Sequence, residues 1–277
     1  MQIRQIEKIK YKGYVFNIEV SNQHNYYAEN ILVQNCHESS TRRGKHGDLT
    51  KLLEIIKDLP AGVELAVGGG NCLDHPDLIP FLETVKERGL IANITVNQGH
   101  LKGQGHILMG LIANDLVKGV GISINGKKLD HIRPFIHISD NIVFHVIAGV
   151  HNLSIIPKLL EFTKLYNKTC KVLVLGYKVF GFGIDYFSDK VIQEINVWKN
   201  NLKQYVGKVH LSFDNLAIEQ LDIRSWFNDR QWDNFYMGDD FQFTMYIDAV
   251  NQQYAPTSRS DNRVSFDNKT LLEYFKK

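Results

Sequence analysis

The chain is short of several features that would assign it quickly to a class. Its 277 residues include only three cysteines, at positions 36, 72 and 170, and this odd number at wide spacing argues against a disulfide scaffold. The net charge of +2 gives no electrostatic case for binding nucleic acid or a membrane surface. No apolar run approaches the roughly 18–20 residues that cross a bilayer, and the polar residues 1–12 are unlike a secretory signal. These absences predict a cytoplasmic protein without a membrane or nucleic-acid partner.

The first 35 residues differ from the remainder of the chain. Residues 14–20 alternate and are rich in β-formers, and residues 26–28 and 31–33 form two further short extended runs. This pattern predicts an all-β fragment of short strands. A piece of this size buries too little surface to fold stably by itself, so we expect it to need a partner.

From about residue 48 onward, helical and extended patterns alternate. The apolar strand stretches are residues 64–67, 91–96, 119–124, 141–148, 171–175 and 209–213. Predicted helices separate them, and continuous apolar strands joined by helices indicate an α/β fold with a parallel sheet covered on both faces. We also expect a last strand within 241–250, paired with 262–266, and a helix in 267–277.

The dipeptide Asn35-Cys36 acquires meaning from the residues before it. Residues 13–36, with His24 eleven positions before the junction, resemble the C-terminal end of an intein. The resemblance implies that the Cys36 thiol accepts an acyl group, that Asn35 cyclises to cleave the peptide bond after it, and that His24 assists. Gln34 stands where most inteins carry a histidine that promotes cyclisation, so we expect slow or His24-dependent cleavage.

The size of this segment suggests how the intein is divided. A methionine 35 residues before the junction fits the C-terminal fragment of a split intein, which places residues 1–35 in one domain and 36–277 in another. The resemblance implies that a separate polypeptide carries the other intein half and supplies the first nucleophile.

A glycine-rich segment follows the first predicted strand of the second domain. Gly69-Gly70-Asn71-Cys72, with the helix start His75-Pro76-Asp77-Leu78 after it, is similar to the GGEPL segment of radical S-adenosylmethionine (SAM) enzymes. In that family the segment binds the aminocarboxypropyl group of SAM. Glycines at the end of a strand allow a ligand to approach the backbone closely. Asn71 takes the place of the family's glutamate and lacks its charge.

Two later segments add weaker matches, and the resemblance covers residues 36 to about 220. Residues 121–125, with Ser123 and Asn125, match a fourth-strand segment that often contacts the SAM ribose, and residues 144–153, with Gly149, match a turn that reads adenine and ribose. The implied fold is a partial (β/α)6 barrel of the radical SAM type with a C-terminal extension.

The family's cluster motif, CxxxCxxC, is represented here by Cys36 alone, at the place of its third cysteine. In the family, three thiolates bind three irons of a [4Fe-4S] cluster. The resemblance implies that the first strand and a CxxxCxx segment lie at the end of the N-terminal partner, and that splicing joins them to Cys36. Cys36 would thus be a splicing nucleophile first and a metal ligand afterwards.

The mature enzyme implied by the two resemblances uses a [4Fe-4S] cluster, SAM and a reducing electron donor. Reductive cleavage of SAM would give a 5′-deoxyadenosyl radical, which abstracts hydrogen from a small-molecule or peptide substrate. One alternative is a catalytically silent barrel fragment with a degenerate intein remnant, acting as a binding partner. Another is an α/β-barrel enzyme with a metal or phosphate site built from Asp74, His75, His100 and His106. For Cys72, a structural role is favoured over iron ligation.

Overall fold

The computed structural model describes residues 26–28, 31–33, 45–126, 128–179, 183–236, 244–258, 260–267 and 270–275. Strands β1 (Tyr26–Ala28) and β2 (Ile31–Val33) pair antiparallel, with Tyr26 opposite Val33. These are the two extended runs that the sequence predicts there. The strand expected at 14–20 lies outside the described residues, as do His24, Gln34, Asn35 and Cys36.

Helices and strands alternate through most of the second region. In chain order they are α1 (Leu49–Ile55), β3 (Glu64–Val67), α2 (Leu78–Glu87), β4 (Ile91–Asn97), α3 (Leu101–Ala113), β5 (Gly119–Ser123), α4 (Arg133–Ile138), β6 (Ile142–Ile147), α5 (Ile155–Lys164), β7 (Lys171–Leu175), α6 (Gly183–Tyr186), α7 (Asp189–Asn201), β8 (His210–Phe213), α8 (Asn215–Gln220), α9 (Asp229–Phe235), β9 (Tyr246–Asp248), β10 (Gln253–Ala255), β11 (Val264–Ser265) and α10 (Leu271–Phe275). The six predicted parallel-sheet strands are all present, so the α/β assignment is confirmed.

Strands β3 to β8 form one parallel sheet in which spatial order follows chain order. Crossovers between parallel strands are almost always right-handed, so consecutive order puts the connecting helices on the same face. Side-chain burial agrees, because Ile94, Ile122 and Phe144 are fully buried whereas the intervening Thr95 and His145 are only half-buried. Within the described part of the chain the helices therefore lie on one face, and the expectation of helices on both faces is wrong there. It treated each strand as uniformly apolar and overlooked this alternation.

The sheet is open within the part of the chain that the structure describes. There β3 pairs with β4 alone and β8 with β7 alone, and the two outer strands do not meet. An open parallel sheet leaves unpaired backbone N–H and C=O groups along both outer strands. The parallel α/β sheet is established, whereas its curvature into a partial barrel stays a prediction.

The core lies between the sheet and its helices. Leu82 and Val85 of α2 and Trp198 of α7 are fully buried, and the Trp198 Nε1 donates a hydrogen bond to the carbonyl of His151 at 2.8 Å. Asp48 begins α1 by accepting a hydrogen bond from the amide of Lys51, as expected of an N-cap aspartate. None of the described helices combines the length and apolarity needed to cross a bilayer.

The C-terminal strands form a separate antiparallel sheet in the order β11-β10-β9. The predicted pairing of the strand near 241–250 with residues 262–266 is wrong, since β10 lies between them. The reason is a tight turn after β9, in which the buried Asp248 carboxylate accepts hydrogen bonds from the amides of Val250 and Asn251. This turn also holds the start of the α/β region, because the Asp48 amide donates to the Ala249 carbonyl at 3.1 Å.

Candidate ligand site at the carboxyl ends of the strands

The turn after β3 has a glycine backbone that, at Gly69, no side chain of the described residues covers. Gly69 and Gly70 have positive φ angles of 91° and 53°, a conformation that favours glycine. A Cβ placed on Gly69 would meet no atom within 4 Å. Among the described residues, Gly69 therefore leaves its peptide group uncovered at the carboxyl edge of the sheet.

Asn71, the residue after this turn, is held by a network of side-chain hydrogen bonds. Its Nδ2 donates to Asp74 Oδ2 at 2.7 Å and to Gln104 Oε1 at 2.5 Å. Gln104 Nε2 in turn donates to the other carboxylate oxygen of Asp74. Because Gln104 belongs to α3, this network ties the loop after β3 to the helix that follows β4.

Two atoms near this network are buried and lack a hydrogen-bond partner, the Asn71 Oδ1 and the His100 Nδ1. His100 immediately precedes α3. Burial lowers the pKa of His100, and the negative charge of Asp74 opposes that shift. Buried polar atoms without a partner are uncommon and costly in native proteins. They identify this corner as a place that the protein's own hydrogen bonds leave incomplete.

Cys72 lies under the same turn and behaves as a structural thiol. It is buried, and its Sγ donates to the carbonyl of Thr95 at 3.3 Å. Burial raises the pKa of Cys72 to about 11, and it raises the pKa of the buried Cys170 to about 11 as well. Both side chains are therefore protonated near neutral pH in the metal-free chain, and the Cys72 thiol is already used in the hydrogen bond to Thr95. This favours the structural interpretation of Cys72.

The predicted ribose-contacting residues lie at the carboxyl end of β5, where Ser123 is the last strand residue and Asn125 follows it. Asn125 Nδ2 donates to Asn97 Oδ1 at 2.6 Å, and the Asn125 amide donates to the buried Gln98 Oε1 at 3.2 Å. Ser123 is paired in register with Asn97 on one side. The structure therefore brings Ser123 and Asn125 to the carboxyl edge of the sheet, beside the end of β4. Strand β4 in turn lies next to β3, which is followed by the glycine turn.

Gly149, in the turn after β6, has a positive φ of 92°, and helix packing accounts for its identity. A Cβ there would approach Ile195 Cγ1 to 2.9 Å and Val191 Cγ1 to 3.0 Å. Both neighbours belong to α7. A cofactor role for Gly149 remains a prediction, and close packing of α7 explains the glycine without it.

The face of the sheet that no described helix covers, called the uncovered face below, carries a polar group that the sequence interpretation missed. His145 of β6 lies over Gly121 of β5, where an added Cβ would come within 2.4 Å of the imidazole Cε1 and 3.0 Å of the Thr95 hydroxyl. Burial lowers the pKa of His145 to about 4. The sequence indicates this arrangement through its glycines at alternate positions, Gly119 and Gly121, which lie on the same face of β5. Small residues on one face of a strand make room for side chains from the adjacent strands.

His75 has a structural task in this region. Its Nδ1 accepts a hydrogen bond from the Asp77 amide, so its Nε2 carries the proton that it donates to the Gly47 carbonyl at 2.8 Å. The His46 ring packs edge-on against it at 4.8 Å. No group of three metal-ligating side chains occurs among the described residues. The alternative metal site at Asp74, His75, His100 and His106 therefore receives no support.

Fold and site together define an α/β protein with a singly wound parallel sheet and a polar, glycine-rich edge at the carboxyl ends of β3, β4 and β5. In parallel α/β folds, ligand sites lie at the carboxyl ends of the strands. Comparison with known protein-family models and with curated proteins finds no match to this chain.

Proposed function

We propose that the chain is a precursor half for protein trans-splicing whose C-terminal part becomes a radical SAM enzyme. The observation that carries the second half of the proposal is the turn at Gly69 and Gly70. It leaves the carboxyl end of β3 with an open backbone, and β3 is an outer strand of the described parallel sheet. A partner's strand could add to β3 and complete a barrel on that side, which is where the resemblance implies that the first strand belongs.

The described residues fit SAM better than they fit an iron–sulfur cluster. For the aminocarboxypropyl group of SAM, the glycine turn offers a peptide group at Gly69 that no described side chain covers. For a cluster, Cys72 and Cys170 are buried thiols and no three-ligand group is present in the described ranges. Cys36 alone would be one of three thiolates, so the chain by itself does not fit a [4Fe-4S] cluster. Bound after splicing, such a cluster would supply the electron for SAM cleavage.

The splicing half of the proposal depends on residues 24–36. Asn35 would release the intein by cyclising, His24 would assist the proton transfers, and Cys36 would take up the acyl group and become the first residue of the joined segment. Nothing in this chemistry requires the enzyme domain to unfold. Residues 45–48 are already anchored, through the Asp48–Ala249 and His75–Gly47 hydrogen bonds.

Intact mass spectrometry tests the proposal directly. The chain is mixed with the polypeptide that carries the other intein half and ends its extein in CxxxCxx, beside Cys36→Ala and Asn35→Ala variants, with Asn30→Ala as a control of the same residue type. We expect a new product that contains residues 36–277, together with a released fragment, for the unmodified chain and the control only. Co-purification of two unchanged masses would overturn the splicing proposal.

A further inference from the structure

The outer strand β3 begins with an exposed carboxylate, that of Glu64, which a neighbouring strand holds in place. The Asn93 Nδ2 of β4 donates a hydrogen bond to Glu64 Oε2 at 2.8 Å. Gly119 of β5 makes room for this contact, because an added Cβ there would lie 2.7 Å from Asn93 Oδ1. The Asn93 side chain therefore lies against Gly119 and presents its amide nitrogen to Glu64.

Glu64 lacks a counter-charge within the part of the chain that the structure describes. No Lys or Arg of the described ranges forms an ion pair with it, and a neutral amide such as that of Asn93 does not cancel its charge. Ala66 is paired in register with Asn93, so Glu64, two positions earlier on β3, lies on the same uncovered face. A charge on an edge strand opposes pairing with any strand that brings no compensating charge.

The opposite side of β3 is apolar and only partly covered by the described residues. Leu65 and Val67 are half-buried, whereas Ala92 and Ile94, their register partners on β4, are 3% and 1% exposed. Leu52 of α1 is half-buried as well. A strand added beside β3 would therefore place apolar side chains on the helix-covered side of the sheet and a cation beside Glu64 on the uncovered face.

We propose that the free edge of β3 recognises a strand of alternating pattern that carries a lysine or arginine beside Glu64, with Asn93 as the positioning residue for the carboxylate. The inference rests on the proposed function, in which this strand is the first strand of the partner polypeptide. Opposite charges on neighbouring strands attract and like charges repel, so Glu64 supplies specificity. A second copy of β3 offers no basic residue, so its pairing would be weaker.

Fluorescence anisotropy of the full chain tests this inference with short labelled peptides of alternating valine and threonine. In three such peptides the central threonine is replaced by lysine, glutamine or glutamate. We expect the lysine peptide to bind about fivefold more tightly than the glutamine peptide, the upper range for a cross-strand charge pair, and the glutamate peptide to bind least. Glu64→Gln should bring the three affinities to within about twofold. Glu83→Gln, which removes an exposed carboxylate from α2, should keep the preference.

The outcomes separate the inference from the function on which it rests. If the lysine preference survives in Glu64→Gln, the role of Glu64 is overturned while strand addition to β3 stands. If the unmodified chain binds all three peptides equally, charge recognition is overturned without reference to any variant, which covers the case in which Glu64→Gln does not fold.

Two further results concern the location of binding. Ala66→Lys changes the middle of β3 and should weaken binding of all three peptides; unaltered binding would place the peptides elsewhere and overturn the inference. If no peptide binds, the inference falls together with the addition of a partner's strand to β3. The splicing chemistry at Asn35 and Cys36 is unaffected by that result, because intact mass tests it separately.

Discussion

At the scale of single residues, the uncovered face of the sheet is organised around His145. The imidazole is half-buried, lies against Gly121 and has no acidic neighbour among the causes that set its pKa. Desolvation alone disfavours the charged form. A neutral imidazole at the middle of a polar sheet face has one donor and one acceptor nitrogen, and His145 stays neutral over the physiological pH range.

His145 also predicts how the stability of the chain depends on pH. The pKa of His145 is about 4 in the folded state, below its value of 6.5 in an unfolded chain. Protons therefore bind the unfolded state more readily, so the free energy of unfolding is highest above pH 6.5 and falls as the pH drops towards 4. In His145→Gln this decline should be shallower. Urea denaturation at pH 7 and pH 5 measures it.

The control for this prediction is His131→Gln, at an exposed position. We expect His131→Gln to lose as much stability between the two pH values as the unmodified chain. Equal losses for His145→Gln and the unmodified chain would mean that the imidazole is solvated and free to charge in the folded state.

At the scale of elements, β5 is shaped by what its neighbours place over it. Gly119 and Gly121 face the uncovered side, where an added Cβ would come within 2.7 Å of Asn93 Oδ1 and 2.4 Å of His145 Cε1, respectively. Val120 and Ile122, on the opposite side, are fully buried beneath helices. The strand therefore has one face that fills the core and one that accommodates polar side chains from β4 and β6.

Alanine substitutions in β5 and in α3 should have opposite effects on stability. Gly121→Ala forces a methyl group against His145, so we expect it to lower the free energy of unfolding by about 1–3 kcal/mol. Gly110→Ala, in α3, meets nothing within 4 Å, and we expect it to raise stability by about 0.5–1 kcal/mol through helix propensity. Thermal and urea unfolding of both variants measure the difference. A neutral Gly121→Ala would contradict the packing described for β5.

The elements were predictable from sequence where the pattern was local. β3 and β7 were predicted to the residue, because runs such as Lys171–Leu175 are apolar, short and bounded by turn residues. The order of the strands was not predictable in the same way. Hydrophobic runs do not say which strands are neighbours, and that order determines whether one face of the sheet or both are covered.

The site was predictable only in part, for a related reason. The glycines and Asn71 stand in one contiguous motif, whereas Gln104 and His145 reach the site from distant elements through tertiary contacts. Asp74 was visible in the sequence as a possible metal ligand. Its hydrogen bond to Gln104 of α3, thirty positions along the chain, became apparent only in the fold.

At the scale of the whole molecule, the consecutive parallel sheet has an uncompleted side. β3 pairs with β4 alone in the described part of the chain, and its exposed Glu64 and Ala66 alternate with half-buried residues. Unpaired strand backbone is a template for pairing with another chain. In the proposed precursor, the partner's strand would pair with the free edge of β3.

The unpaired side of β3 predicts that the isolated chain self-associates. Ala66→Lys places a charge on that strand, and natural proteins use lysine in this position to block pairing between edges. We expect sedimentation velocity to show association that rises with concentration for the unmodified chain and is reduced for Ala66→Lys. Asn200→Lys, an equivalent change at an exposed position of α7, should leave association unaltered. Equal association in all three proteins would exclude β3 as the contact.

The hydrogen bond between Asp48 and Ala249 bears on whether the chain tolerates circular permutation. It brings the backbone at the start of the α/β region against the turn after β9, and Gly47 lies so close that an added Cβ would be 2.7 Å from the Ala249 methyl group. Early and late parts of the sequence thus meet at one point of the surface. A circularly permuted chain, with a linker joining residue 267 to residue 45 and new termini at the αL turn around Asn167, would keep every strand of the parallel sheet in its order.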